Sequence, residues 1–275
     1  MAFFTASDGM RLYFEDTGNG TSVLCLAGLT RNTQDFASLA PHVKDLRMIA
    51  MDYRGRGQSD YDPDYMNYNI IREAQDAIEL LDHLGLDKAL VIGTSRGGLI
   101  AMALAVSHPE RLAGVILNDV GPVIEPTGIA RIMEYVGKPP ASKTYDEAAQ
   151  TLKQALEPQF PGVPLTVWRK HAEAQYRETA DGLALRYDPA LRTALIEQAA
   201  AGVPPDLWDL FDALRSIPTG VIRGANSDVL GAATLAEMHI RHPNLVSAEI
   251  PDRGHVPFLD EPQSLELIRK VLDAA

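Results

Sequence analysis

The chain has 275 residues, enough for one large hydrophobic core or for a core with one sizeable insertion. Its formal net charge of −12 disfavours nucleic acid and anionic membrane surfaces as partners, because no basic stripe is present to bind phosphates. The single cysteine, Cys25, excludes an internal disulfide. No signal-peptide pattern and no apolar run of the roughly 18–20 residues that a spanning helix needs is visible, so we expect a soluble, cytoplasmic protein.

In the first part of the chain, short apolar strands alternate with helical patterns. Strands are predicted at 11–18, 22–28, 46–52, 88–94 and 112–119, and helices at 69–84 and 96–107. The strand at 88–94 is continuously apolar, which is typical of a strand buried on both faces of a parallel sheet. The alternation indicates an α/β fold with helices on both faces of the sheet.

The middle of the chain differs from both ends. Between residues 122 and 214 we find no strand pattern, and helical stretches such as 144–156 and 166–180 are separated by proline clusters, the last of them at 202–206. The alternation then resumes, with strands predicted at 217–224 and 245–251 and helices at 228–242 and 264–275. We therefore expect a mostly parallel, doubly wound core of residues 1–121 and 215–275, with a helical cap of residues 122–214 inserted between core strands.

The stretch 93–97 has the spacing Gly-x-Ser-x-Gly directly between a predicted strand and a predicted helix. This pattern indicates a nucleophile elbow, in which Ser95 sits on a strained turn and its Oγ projects above the sheet. The helix that follows points free N–H groups at the same place, so the backbone N–H of Arg96 is a candidate oxyanion donor. The loop after the strand at 22–28 offers the backbone N–H of Leu29 as the second donor.

A seryl nucleophile needs a base and an acid that orients the base. His255 lies in a glycine- and proline-bearing loop after a late strand, and Asp228 follows the strand at 217–224. Because sites in α/β sheets gather beyond the carboxyl ends of the strands, we predict a triad of Ser95, His255 and Asp228. Asp119, which ends the strand beside the elbow, is the rival for the acid.

These motifs resemble those of the α/β-hydrolase fold family with a helical cap. The stretch "DYRGRGQSD" (52–60) is similar to the family's Asp-x-Arg-Gly-x-Gly-x-Ser turn, and "GHVPFLDEP" (254–262) is similar to its histidine loop. One departure is Ala27-Gly28, where the oxyanion loop of the family often begins with His-Gly. The family's haloalkane dehalogenases and epoxide hydrolases use an aspartate as nucleophile, so Ser95 argues against both activities.

We therefore expect a serine hydrolase of a small carboxylic ester or lactone that works through an acyl-enzyme and needs neither a metal nor another cofactor. Carbon–carbon bond hydrolases and cofactor-free perhydrolases of the same fold use a similar triad and remain alternatives. A non-catalytic small-molecule binding protein is the alternative from another class. The sequence does not decide between a monomer and a homodimer.

Two further expectations concern substrate binding. Arg96 carries a cation at a helix N-terminus, so we expect either an ion pair, with Asp119 as candidate partner, or recognition of a substrate carboxylate. The aromatic residues expected to line the pocket are Trp168, Tyr176, Trp208 and Phe211.

Overall fold

A computed structural model describes residues 2–201 and 206–275 and contains one eight-stranded sheet in the order β1-β2-β4-β3-β5-β6-β9-β10. The strands β1 and β2 pair antiparallel, as do β2 and β4, and every other neighbouring pair is parallel. The expected mostly parallel sheet is confirmed. The strands are β1 (Ala2–Thr5), β2 (Arg11–Thr17), β3 (Thr21–Leu26), β4 (Leu46–Met51), β5 (Ala89–Thr94), β6 (Leu112–Asn118), β7 (Tyr176–Thr179), β8 (Gly182–Leu185), β9 (Thr219–Gly224) and β10 (Val246–Ile250).

Helices surround this sheet. Every residue of β5 is buried, as expected for a strand covered on both faces. The α-helices are α1 (Ile70–His83), α2 (Arg96–Ser107), α3 (Pro126–Tyr135), α4 (Tyr145–Leu156), α5 (Leu165–Gln175), α6 (Leu191–Ala200), α7 (Leu207–Asp212), α8 (Ala232–Arg241) and α9 (Pro262–Asp273). None of the helices in the described ranges combines the length and the apolar character that crossing a bilayer requires.

Two strand regions were not predicted. The strand β1 forms at the N-terminus, and the expected helix 166–180 stops at Gln175, where the hairpin β7–β8 begins. The hairpin turns at residues 180–181, and β8 begins directly after the turn at Gly182, whose φ of +122° is one that glycine adopts without strain. Leu183 and Leu185 are buried at alternate positions, so the apolar period in this stretch is two rather than 3.6. The expectation that strands are absent from 122–214 is therefore wrong.

Residues 122–214, called the inserted segment below, connect β6 to β9 and hold α3 to α7 and the hairpin. The last of these helices, α7, packs on α2, and its Phe211 is buried in the main hydrophobic core. Residues 202–205, most of the last predicted proline-rich break, lie outside the described residues. The domain boundaries at 121/122 and 214/215 stay a prediction.

We expect Gly97→Ala to lower the free energy of unfolding by about 1–3 kcal/mol, the usual range for overpacking. A Cβ at Gly97 would overlap the carbonyl oxygen of Leu26 and force α2 away from β3. In a helix without such a contact, the same change would stabilise by up to about 1 kcal/mol, so the sign of the effect is diagnostic. Urea denaturation measures it, and a more stable variant would contradict the close packing of α2 on β3.

Candidate active site

Ser95 lies at a sharp turn between β5 and α2. Its φ of 52° and ψ of −114° belong to a region that residues other than glycine rarely adopt. The Ser95 backbone N–H donates to the carbonyl of Asn118 at 2.9 Å and so ties the turn to β6. A Cβ at Gly93 would overlap the carbonyl of Gly97, so the turn requires a glycine there. The structure therefore has the strand, turn and helix expected around Ser95.

The imidazole of His255 lies against this serine. Ser95 Oγ is 2.8 Å from His255 Nε2, and the His255 side chain is 11% exposed. The side-chain amide of Asn118 donates to the carbonyl of Pro257 at 3.1 Å and thereby links the histidine loop to the end of β6. The predicted pair of Ser95 and His255 is therefore together in the structure.

The carboxylate beside His255 belongs to Asp119. Its Oδ2 is 2.8 Å from His255 Nδ1, and the Asp119 side chain is fully buried. A carboxylate only accepts, so Nδ1 is the donor and Nε2 is left to accept the Ser95 hydroxyl proton. Asp119 also accepts from the Gly224 backbone N–H at 2.8 Å and from the Ser227 hydroxyl at 2.6 Å. These bonds hold the Asp119 carboxylate, the His255 imidazole and the Ser95 hydroxyl in one hydrogen-bonded chain.

The prediction that Asp228 lies beside His255 is wrong. Asp228 Oδ1 accepts from Arg131 Nη2 at 2.7 Å, so α3 of the inserted segment holds this carboxylate. The strands β6 and β9 are parallel neighbours, and their carboxyl ends meet at one edge of the sheet. Asp119 follows β6 directly, and the structure brings this rival residue to the histidine instead.

Two backbone N–H groups, those of Leu29 and Arg96, are the candidate oxyanion donors. Within the described residues, neither Leu29 N–H nor Arg96 N–H donates a hydrogen bond. Arg96 is the first residue of α2, where backbone N–H groups have no partner in their own helix. An anion between the two donors would satisfy both of them. The arrangement is suited to an oxyanion that develops on a carbonyl attacked by Ser95.

The family model of the α/β hydrolase fold matches residues 21–262. The chain belongs to the α/β-hydrolase fold family. Several of its relatives are named as hydrolases, which supports the assignment of this chain as a hydrolase.

Three relatives of this α/β hydrolase are informative. A 3-hydroxybutyrate-oligomer hydrolase from Cupriavidus necator is 35% identical, covering 92% of this chain and 88% of its own length. A 2-(acetamidomethylene)succinate hydrolase from Mesorhizobium japonicum is 27% identical, covering 96% and 92%. The crystal structure of an α/β hydrolase from Novosphingobium aromaticivorans has 39% identity and a TM-score of 0.91, covering 100% of this chain and 98% of its own.

The loop after β3, which we expect to supply the second oxyanion donor, begins with Ala27-Gly28 and is supported by two side chains from the turn after β4. The Tyr53 hydroxyl donates to the carbonyl of Ala27 at 3.0 Å. Arg56 Nε donates to the carbonyl of Leu29 at 3.1 Å. These two carbonyls flank the Gly28–Leu29 peptide, whose N–H is the candidate donor, so two buried side chains fix its orientation.

The Arg96 side chain makes an ion pair, but not with the expected partner. Its Nε is 2.5 Å from Glu73 Oε2, and its Nη2 donates to the carbonyl of Tyr68 at 3.2 Å. Asp119 was the candidate partner in the sequence, but its carboxylate is bonded to the histidine loop and to the residues after β9. Because Arg96 is 7% exposed and points to α1, the structural alternative is the one that the geometry supports.

A cleft of about 850 Å³ reaches His255 and is bounded by the loop after β3, by the inserted segment and by the histidine loop. Of the four aromatic residues expected to line the pocket, Trp168 lines this cleft. Trp208 and Phe211 instead pack edge to face at 6.0 Å in the main core. Tyr176, the first residue of β7, packs against a separate buried cluster that contains Leu185 and Leu191. The described ranges contain no group of three or more His, Cys, Asp or Glu side chains that could hold a metal ion.

The sequence analysis missed three charged or titratable residues beside this cleft. Arg31 Nη1 is 3.3 Å from His171 Nδ1 and 3.6 Å from Asp35 Oδ1. Burial, together with the Arg31 charge, lowers the pKa of His171 to about 3, so this imidazole is neutral and accepts from Arg31. Burial raises the pKa of Asp35, although Arg31 acts against this. The position of Arg31 two residues after Leu29 was the available signal.

We expect Asp119→Asn to reduce kcat by roughly 10⁴-fold, because an amide favours the wrong imidazole tautomer. Asp228→Asn is the matched control, and it should change kcat by less than about tenfold because Asp228 touches Arg131 and not His255. Steady-state kinetics on one ester measures both variants. A larger loss of kcat in Asp228→Asn than in Asp119→Asn would assign the role of the acid to Asp228, which follows β9.

Proposed function

We propose that this α/β hydrolase cleaves small carboxylic esters or lactones through an acyl-enzyme on Ser95. The observation that carries the proposal is the unbroken hydrogen-bonded chain from Ser95 Oγ to His255 to Asp119, with both distances at 2.8 Å. This geometry fits a serine nucleophile whose hydroxyl proton is taken by a histidine of fixed tautomer.

In the first half of the reaction, Ser95 Oγ attacks the ester carbonyl and its proton moves to His255 Nε2. The negative charge on the former carbonyl oxygen is stabilised by the N–H groups of Leu29 and Arg96. The carbon–oxygen bond to the alcohol then breaks, and the alcohol leaves with the proton from His255.

In the second half, water attacks the acyl-enzyme and gives its proton to the same Nε2. The tetrahedral intermediate collapses, the carboxylic acid is released, and Ser95 regains its proton. Asp119 keeps its hydrogen bond to Nδ1 throughout and stabilises the imidazolium. Every proton moves among the chain, substrate and water, so the scheme requires no cofactor.

We further propose that the substrate carries a free carboxylate and that Arg31 binds it. The Arg31 side chain is 27% exposed at the cleft, and its Nε and Nη2 make no hydrogen bond within the described residues. A guanidinium binds a carboxylate through two parallel N–H bonds. Two similar hydrolases are named for oligomers of a hydroxy acid and for a substituted succinate, and this supports the choice of an acidic substrate.

We expect Ser95→Ala to lose turnover of p-nitrophenyl butyrate by on the order of 10⁶-fold and to lose labelling by a fluorophosphonate probe. The fold should be retained, because the side chain projects into a cleft. If the wild-type protein neither hydrolyses the ester nor is labelled by the probe, the result would favour the alternative that this chain is a non-catalytic small-molecule binding protein. Labelling without ester hydrolysis would favour carbon–carbon bond cleavage or perhydrolysis.

We expect Arg31→Met to raise KM at least tenfold for esters with a free carboxylate and to leave KM for neutral esters within about twofold, since a hydrogen bond to a charged group contributes about 1.5–3 kcal/mol. Arg169→Met is the control: Arg169 lies on α5 with Asp146 and Glu173 as partners and does not line the cleft. An equal effect of Arg31→Met on acidic and neutral esters would contradict carboxylate recognition.

A further inference from the structure

We propose that Glu73, a buried carboxylate on α1, is a positioning residue that holds both oxyanion donors in place. It touches no substrate in this scheme. It acts through two arginines, Arg56 and Arg96, each of which is joined to one donor peptide. The inference rests on the proposed ester hydrolysis, because the donors matter only if an oxyanion forms.

Glu73 is linked to the first donor through Arg96. The Arg96 backbone N–H is one donor, and the side chain of the same residue ends 2.5 Å from Glu73 Oε2. A cation at a helix N-terminus is repelled by the helix dipole, so the first turn of α2 needs an anion to keep this side chain in place. Glu73 supplies that anion from the neighbouring helix α1.

Glu73 is linked to the second donor through Arg56. Arg56 Nη1 is 2.9 Å from Glu73 Oε1, and Arg56 Nε donates to the Leu29 carbonyl at 3.1 Å. The Leu29 N–H is the other donor, so the orientation of this residue depends on a guanidinium that pairs with the Glu73 charge and whose Nη1 also donates to the Arg54 carbonyl at 2.7 Å. The two oxygens of one carboxylate thus reach the two sides of the oxyanion site.

Burial makes this link stiff. Glu73 is 0% exposed, Arg56 is 1% exposed and Arg96 is 7% exposed at their side chains, so water does not compete for these contacts. Removing one member of a buried ion pair leaves its partner uncompensated and frees it to move. Loss of Glu73 would remove the carboxylate partner of both arginines at once and leave them hydrogen-bonded to backbone carbonyls alone. Loss of either arginine would remove the support of one donor.

Charge and position predict opposite effects here, which makes the inference testable. Glu73→Gln removes a negative charge near the oxyanion, and by charge alone this change would speed the reaction. If Glu73 acts by position, the same change misplaces the donors and slows it. A donor removed outright costs roughly 10²–10³-fold in kcat, so misplaced donors should cost about 10–100-fold.

Asp76 provides a matched control on the same helix. It is also 0% exposed and binds Arg54 through two contacts of 2.7 Å. Within the described residues, the side chains of Asp76 and Arg54 make no hydrogen bond or ion pair with Leu29 or Arg96. Asp76→Asn therefore removes an equally buried carboxylate from the same helix without removing a partner of Leu29 or Arg96. Its effect should appear as a lower Tm, with kcat within about threefold of the wild type.

The experiment measures kcat, KM and Tm for wild type, Glu73→Gln and Asp76→Asn on one neutral ester, together with inhibition by a trifluoromethyl ketone. This ketone forms an oxyanion when a serine adds to it. We expect Glu73→Gln to lower kcat by about 10–100-fold and to keep KM within about twofold. The affinity for the ketone inhibitor should fall by the same factor as kcat. An unchanged or raised kcat, or a fall matched by Asp76→Asn, would overturn the inference.

Arg56→Lys tests the same link if Glu73→Gln does not fold. Lysine keeps the charge beside Glu73, but its single nitrogen has no planar fork with which to pair with Glu73 and donate to the Leu29 and Arg54 carbonyls at the same time. The same loss of kcat and ketone affinity at constant KM is expected, and wild-type values would overturn the inference. A wild type that neither hydrolyses esters nor reacts with a fluorophosphonate would instead refute the proposed function.

Discussion

The left-handed turn at Ser95 is the constraint on which the rest of the site depends. It lets β5 end and α2 begin within one residue, which requires helix and strand to approach so closely that Gly93 and Gly97 have no room for a Cβ. Since β3 and β6 flank β5 in the sheet, the loop after β3 arrives from one side and Asp119 from the other. The serine therefore lies between its two groups of partners because of strand order.

The sheet also explains why the position of the acid was difficult to predict. The loops after β6 and after β9 end at the same edge, and both carry an aspartate, so local sequence favours neither. The deciding contacts are distant in the chain: Arg131 of the inserted segment binds Asp228, while Ser227 and Gly224 donate to Asp119. β6 adjoins β5 directly, so the residue after it has the shorter path to a histidine placed over Ser95.

Patterns that are local and strongly periodic predicted the core correctly. The apolar run of β5, the amphipathic helix α1 and the glycine spacing around Ser95 each depend on neighbours within a few residues. The hairpin β7–β8 was missed because its strands have four residues each and follow a helix without a proline. Trp208 and Phe211 were misplaced because α7 packs on α2, a long-range contact that a helical period does not reveal.

The turn after β4 shows that structural and functional interpretations of a motif are not exclusive. Asp52 accepts hydrogen bonds from the backbone N–H groups of Thr33 and Gln58 at 2.7 and 2.8 Å, and so it connects two loops as a structural residue does. Burial raises the pKa of this carboxyl to about 6. Arg56 belongs to the same turn, yet the Leu29 carbonyl it binds is in the loop after β3, which we propose supplies an oxyanion donor. Where the family often has a histidine at the start of that loop, this chain has Ala27, and support comes from beneath through Tyr53 and Arg56. A buried side chain that never meets the substrate can therefore still set the geometry of the chemistry above it.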